Sequence, residues 1–167
     1  MNFLPLLLSA FLMALPSVAA AQDRWTTYRN TRFGTSIEYP SRFHAGRPPD
    51  NNDGQSFTTP DGARLSVWGS LNVEEQDLAG VEKFVRENSE QSERITYRTA
   101  GRNWFVLSGT RGEAIFYKRY VLSHRRQIVN AFEITYPARV AADYTPIVAR
   151  LSKSLRPGRG YQTEGAP

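Results

Sequence analysis

The chain has no cysteine, only two histidines and only three lysines, and its one long apolar run ends after 13 residues. Without cysteine there is no disulfide, thiol nucleophile, lipid-modified cysteine or thiolate site for zinc or an iron–sulfur cluster. His44 and His124 have no second histidine or glutamate at ligand spacing, so a metal site would require them to meet in space with a carboxylate. His124 also precedes Arg125 and Arg126, whose charges oppose a cation. A Gly-x-Ser-x-Gly nucleophile elbow is missing, and Ser108–Gly112 has neither the spacing nor the lysine of a phosphate loop. Asn51–Gly54 looks like part of a calcium loop, but Pro49 and Pro60 fall where the first ligand and the closing glutamate belong. Glu74, Glu75 and Asp77 are expected to complement a helix dipole rather than to perform acid–base chemistry. The sequence therefore predicts no catalytic residue, no metal and no cofactor.

The apolar run, Phe3–Leu15, is followed by Pro16, Ser17 and Val18-Ala19-Ala20-Ala21. A membrane-spanning helix needs about 20 apolar residues. Thirteen followed by small residues make the core and cleavage site of a secretory signal peptide. Residues 1–21 are thus expected to be removed, with a cut after Ala20 as the alternative, leaving a chain without a membrane span. Residues 22–157 are then enough for one domain, and 158–167 (GRGYQTEGAP) have nothing to bury and read as a disordered tail. Exported proteins of this size often carry disulfides, so a cysteine-free chain fits a bacterial periplasm.

Trp25–Asn30 and Ser36–Tyr39 read as strands around a turn at Gly34. Gln55–Thr59 and Ala63–Leu71 flank Pro60-Asp61-Gly62, a hairpin turn in which proline presets φ and glycine accepts a positive one. Asn72-x-x-Glu75 has the form of a capping box, and Leu78, Val81, Phe84 and Val85 continue at helical spacing, predicting a helix within Val73–Gln91. Arg94–Thr99, Asn103–Gly109, Ala114–Ser123 and Gln127–Tyr136 read as four further strands. A second helix is expected with Asp143 as N-cap, Pro146 in its first turn and a stripe of Tyr144, Ile147, Val148, Leu151 and Leu155. The order is ββββ-α-ββββ-α. Short connections predict one mainly antiparallel sheet. Trp104–Leu107 is apolar on both faces, which asks for cover on both. The expected fold is α+β, an α/β/α sandwich, with both helices on one face as the alternative.

Tyr28-Arg-Asn-Thr-Arg-Phe-Gly-Thr-Ser-Ile-Glu-Tyr-Pro40 with Phe43, and the closing Phe132-Glu-Ile-Thr-Tyr-Pro137 before a helix ending at Leu155, resemble the PsbP-like superfamily, which includes bacterial DcrB-type envelope proteins. Phe43 stands where that family's opening motif usually has tryptophan. The resemblance implies an α/β/α sandwich serving as an accessory or binding module without catalysis. It assigns no functional residue, since the matching positions shape the fold.

Charge is unevenly placed. Net charge is +1 over 22–71, −5 over 72–93 and +10 over 94–159. Lys118, Arg119, Arg125 and Arg126 gather around one expected hairpin and are the candidate partner-binding residues, facing an anionic envelope polymer or an acidic protein. A solvated surface is the competing reading of the same charges. The pI near 9.7 would suit nucleic acid, but export argues against it. A non-enzymatic accessory or binding protein is the leading expectation. The alternatives are a small hydrolase built on carboxylates and a small-molecule-binding module. The mature protein is expected to begin at Gln22 or Ala21; intact-mass spectrometry of the exported protein checks this, and Met1 retained on membrane-bound protein would refute cleavage.

Overall fold

The computed structural model describes residues 23–159; the expected signal peptide and the tail from residue 160 on lie outside them. The strands are β1 (Trp25–Arg29), β2 (Ser36–Pro40), β3 (His44–Ala45), β4 (Gly54–Thr58), β5 (Arg64–Leu71), β6 (Glu93–Ala100), β7 (Trp104–Arg111), β8 (Ala114–Ser123) and β9 (Ile128–Pro137). Helix α1 (Leu78–Glu87) follows β5, and α2 (Ala141–Ser154) follows β9 through a short 3-10 turn. Seven strands form an antiparallel sheet in the order β3-β4-β5-β9-β8-β7-β6, while β1 and β2 pair only with each other. The single expected sheet is thus two sheets, and β3 is a strand that sequence periodicity does not reveal, being two residues long.

Alternation along the central strands sorts the core into two layers. Phe132, Ile134 and Tyr136 of β9 join Leu65, Val67, Phe57 and the α2 residues Tyr144, Ile147 and Leu151. Val129 and Ala131, the residues between, join Phe105 and Leu107 of β7, Phe116, Tyr120 and Leu122 of β8, and Val81 of α1. A period of two places these sets on opposite faces, so the helices cover opposite sides of the sheet. The molecule is an α/β/α sandwich.

The β1–β2 hairpin shares the α2 face. Phe33, in its turn, lies over Gly69 of β5, where a Cβ would come 2.5 Å from the Phe33 Cβ. The Thr35 hydroxyl donates to Oδ1 of the buried Asn130 on β9 (2.7 Å). Beyond α2, Arg156 bridges Ser36 of β2, and Gly158 packs on Gly34.

Two helix starts differ from the sequence expectation. Asp77, not Asn72, caps α1, its side chain accepting from the Gly80 N–H (2.8 Å). Glu75 has φ +51 and breaks the helical path between them. The α2 helix starts at Ala141 with no side-chain cap, because the preceding 3-10 turn already supplies its entry, and Pro146 falls in the second turn. Leu71, which alternation along β5 would place on the buried face with Leu65 and Val67, is 42% exposed at the strand end.

Leu107 is fully buried beneath α1. Leu107→Ala is expected to cost roughly 2–5 kcal/mol, measured by urea unfolding; a loss below about 1 kcal/mol would contradict the two-sided burial of β7.

Candidate functional site

The four basic residues singled out in the sequence do not form one patch. Lys118 and Arg119 are neighbours on β8 and therefore point to opposite faces. Lys118 joins the α1 face with a side chain only 7% exposed, where its ammonium pairs with Glu93 (2.8 Å) and Glu133 (3.6 Å). Arg119 lies on the α2 face, its guanidinium 4.5 Å from the Trp104 ring centre and donating to Ser152 of α2 (3.2 Å). Lys118 is therefore corrected from a partner contact to an internal ion, and Arg119 from a free cation to a packing residue. Arg125 and Arg126 are exposed at the β8–β9 tip. The alternation of β8 carries the signal for Lys118, since it shares a face with Phe116, Tyr120 and Leu122.

Lys118 is one corner of an ionic network. Glu93 at the start of β6, its side chain 1% exposed, also pairs with Arg111 of β7, which reaches Glu133 of β9 (2.6 Å) and Glu90 (3.4 Å). Burial alone would raise the Glu93 carboxyl, but the hydrogen bonds and charges of Lys118 and Arg111 outweigh it and hold it below the usual carboxylate range. Burial likewise opposes the Arg111 cation, and the two glutamates more than offset it. Burial, then the charges of Glu133 and Glu93, push the Tyr120 hydroxyl up. A second polar knot joins Asp61 in the β4–β5 turn to α2. Its carboxylate accepts from the Tyr144 hydroxyl at 2.9 Å and from Thr59. Burial of Asp61 is outweighed by these bonds, so its pKa is lowered, while Tyr144 is pushed up to about 12, chiefly by burial. These two shifted carboxylates move away from neutrality, whereas a general acid or base works best near the operating pH.

The sequence reading singled out Arg125 and Arg126 at the β8–β9 tip but not the β5–α1 connection that meets them. His124, Arg125 and Arg126 have φ of +50, +55 and +74, three successive side-chain-bearing residues in a conformation that costs roughly 1–2 kcal/mol each. Asn72 braces them. Its backbone N–H donates to the Gln127 carbonyl, and its side-chain amide donates to the carbonyls of Arg126 and Gln76, all at 2.8 Å. The residue expected to open a helix instead staples two loops.

Concave surface runs on either side of this staple. Between α1 and the sheet lies a cleft of about 320 Å³, floored by Trp68, Val81, Tyr120 and Val129. At its rim Leu71, Val73 and Phe84 are 42%, 80% and 54% exposed. Past the N-terminus of α1 a second cleft, about 760 Å³, is lined by Arg98, Arg102, Arg125 and Arg126. Arg98 is held by Glu82, whose far oxygen is at 2.9 Å, and Asp77 is occupied as the helix cap. Among the described residues, no carboxylate pairs with Arg102, Arg125 or Arg126. Two further hollows, about 470 and 170 Å³, both lined by Asn72, Glu75 and Gln127, lie between the clefts and share lining residues with them. His44 sits on β3, away from His124 at the tip, and no group of three potential metal ligands occurs among the described residues. Asn51 and Asp53 form a polar turn with Arg32, which pairs with Asp53 at 2.7 Å.

The solution structure of cyanobacterial PsbP (CyanoP) from Synechocystis superposes with a TM-score of 0.60 at 14% identity, covering 86% of this chain and 98% of that one. The fold is PsbP-like. The crystal structure of the Saccharomyces cerevisiae Ran-binding protein Mog1p matches with a TM-score of 0.56 at 10% identity, covering 81% and 96%. No family model matches the sequence, and no curated protein matches it.

The network predicts a pH dependence. Because the folded Glu93 carboxyl lies below its unfolded value of about 4.3, its stabilisation is present above that pH and lost as pH falls through the folded value. Glu93→Gln is expected to cost about 3 kcal/mol at pH 7, the low end for a broken buried pair because Glu133 still faces Lys118. The difference from the parent should shrink below about pH 4 in urea unfolding; a gap constant with pH would refute the assignment.

Proposed function

We propose that this protein is a non-enzymatic binding or accessory protein, working outside the cytoplasm after export, that engages an acidic protein partner at the end formed by α1, the β5–α1 connection and the β8–β9 tip. One observation carries the reading. Three exposed apolar side chains, Leu71, Val73 and Phe84, rim a cleft that leads toward arginines with no counter-ion among the described residues. Contiguous apolar surface bordered by charge is the usual mark of a protein-binding site. The backbone strain at the tip supports it, since strained residues persist where a surface is held in shape for use. A Ran-binding protein shares the fold, which supports partner binding as a use of this scaffold. Export rests on the apolar N-terminal run, and no helix among the described residues is long and apolar enough to cross a membrane.

The carboxylate hydrolase finds no support in Asp61 and Glu93, whose pKa values are lowered. A small-molecule site fits less well than a protein contact, because the apolar cleft is near the lower bound of about 300–1,000 Å³ for such pockets and the larger one is lined mostly by polar and charged side chains, whereas ligand pockets are mainly apolar.

A photo-crosslinking residue at Val73 is expected to capture a discrete partner in cells, and the same residue at Arg64, on the far end of β5, is not. Equal capture at both positions, or none at Val73, would overturn the proposal.

A further inference from the structure

Three features at the α1 end specify the partner more closely, resting on the binding role proposed above. First, the two clefts form one bent channel. Leu71, Asn72 and Val73 line both the apolar cleft and the adjoining hollow, and Arg125 and Arg126 line both the last hollow and the basic cleft. The path turns around the N-terminus of α1. A convex folded surface cannot follow such a bend, whereas a single extended chain can.

Second, the channel is chemically polar along its length. One end is apolar, between Trp68 and Phe84, with Glu74 on its rim. The other holds Arg102, Arg125 and Arg126, which have no ion pair among the described residues. The carboxylates on the basic side are already engaged, Glu82 by Arg98 and Asp77 by the Gly80 N–H. Charge complementarity therefore calls for carboxylates on Arg102, Arg125 and Arg126; Glu74 repels them from the apolar end, and Glu75 in the hollow between marks where the acidic stretch must stop.

Third, the backbone that carries two of the arginines is held in place. The left-handed backbone at 124–126 and the bonds from Asn72 fix the tip, and guanidinium groups suit bidentate pairing with carboxylates.

We infer that the channel is a docking site for one extended peptide segment of a partner protein, with apolar anchor side chains seated between α1 and β5 and a run of Asp or Glu on Arg102, Arg125 and Arg126. The order is fixed, anchors at one end and acids at the other. An acidic peptide lacking anchors would fill half of the channel, and an apolar one lacking acids would leave the arginines exposed.

The test selects random 16-residue peptides displayed on phage against the purified mature chain, then measures enriched peptides by fluorescence anisotropy. Enriched sequences are expected to carry Leu, Phe, Trp or Met beside an acidic run. The Kd should weaken about five- to tenfold between 50 and 300 mM salt, as exposed charges are screened. Arg125→Ser with Arg126→Ser should weaken it about five- to tenfold, and Phe84→Ser tenfold or more. All three positions are exposed, so the melting temperature should stay within about 3 °C of the parent. Enrichment without acidic bias, enriched peptides indifferent to both variants, or no enrichment would each overturn the inference. Crosslinking at Val73 separates the two claims: capture there alongside a failed selection leaves the binding role standing with a folded partner surface, and loss of both removes the binding role too.

Discussion

Burial of the central strands on both faces governs the rest of the structure. β7, β8 and β9 carry large apolar residues at odd and even positions alike, and water must be removed from both sides. At about 25 cal/mol per Å², leaving either face wet would forfeit about 1.5–3 kcal/mol for each exposed Phe or Leu. The chain meets this demand with two unequal covers. On one side α2, with 14 residues, works together with the β1–β2 hairpin, anchored by Phe33 over Gly69 and by Thr35 on Asn130. On the other side α1 stands alone with 10 residues, about 15 Å of helix.

A helix of that length cannot roof a sheet of seven strands, and the α1 face shows how the shortfall is handled. The part under Val81 is dry and apolar. Beyond the helix C-terminus, Glu90, Glu93, Arg111, Lys118 and Glu133 fill the space with paired charges, which tolerate partial water where aliphatic side chains would not. Toward β4 and β5 the sheet surface becomes Ser56, Ser66 and Ser70, which can face solvent, and Trp68 closes the margin of the core. Along that margin runs the apolar cleft. The ionic network and the open cleft are thus two consequences of one short helix, an explanation that also accounts for their position on the same face.

The sheet, its two-sided burial and the α2 stripe were legible in the sequence because each follows from a period. Alternation of two marks which side chains share a face, and spacing of three and four marks Tyr144, Ile147 and Leu151. Pro60-Asp61-Gly62 announced its hairpin for a similarly local reason. The channel was not legible, because its parts lie far apart in sequence and meet through Asn72, which bonds Arg126, 54 residues away, and whose spacing to Glu75 imitates a capping box. Local pattern cannot tell a side chain that bonds its own helix from one that reaches a distant turn. Lys118 failed differently. Its position in the alternation put it inside, and its charge put it outside; the buried Glu93 resolves the conflict, and that glutamate lies 25 residues away.

The division between core and loops also explains what the structural likenesses carry. At 10–14% identity the likeness to the solved structures is one of fold alone, since many sequences with such alternations and turns reach the same layered packing and fold does not fix function. The channel belongs to a different category. Its walls come from the β5–α1 connection, one face of α1 and a hairpin tip, segments that the sheet supports but does not specify. A scaffold with a short helix on one face leaves this margin open, and the residues placed along it decide what can be held there. In this chain they are Leu71, Val73 and Phe84 at one end and, at the other, three arginines with no ion pair among the described residues, exposed side chains that contribute little to holding the fold together.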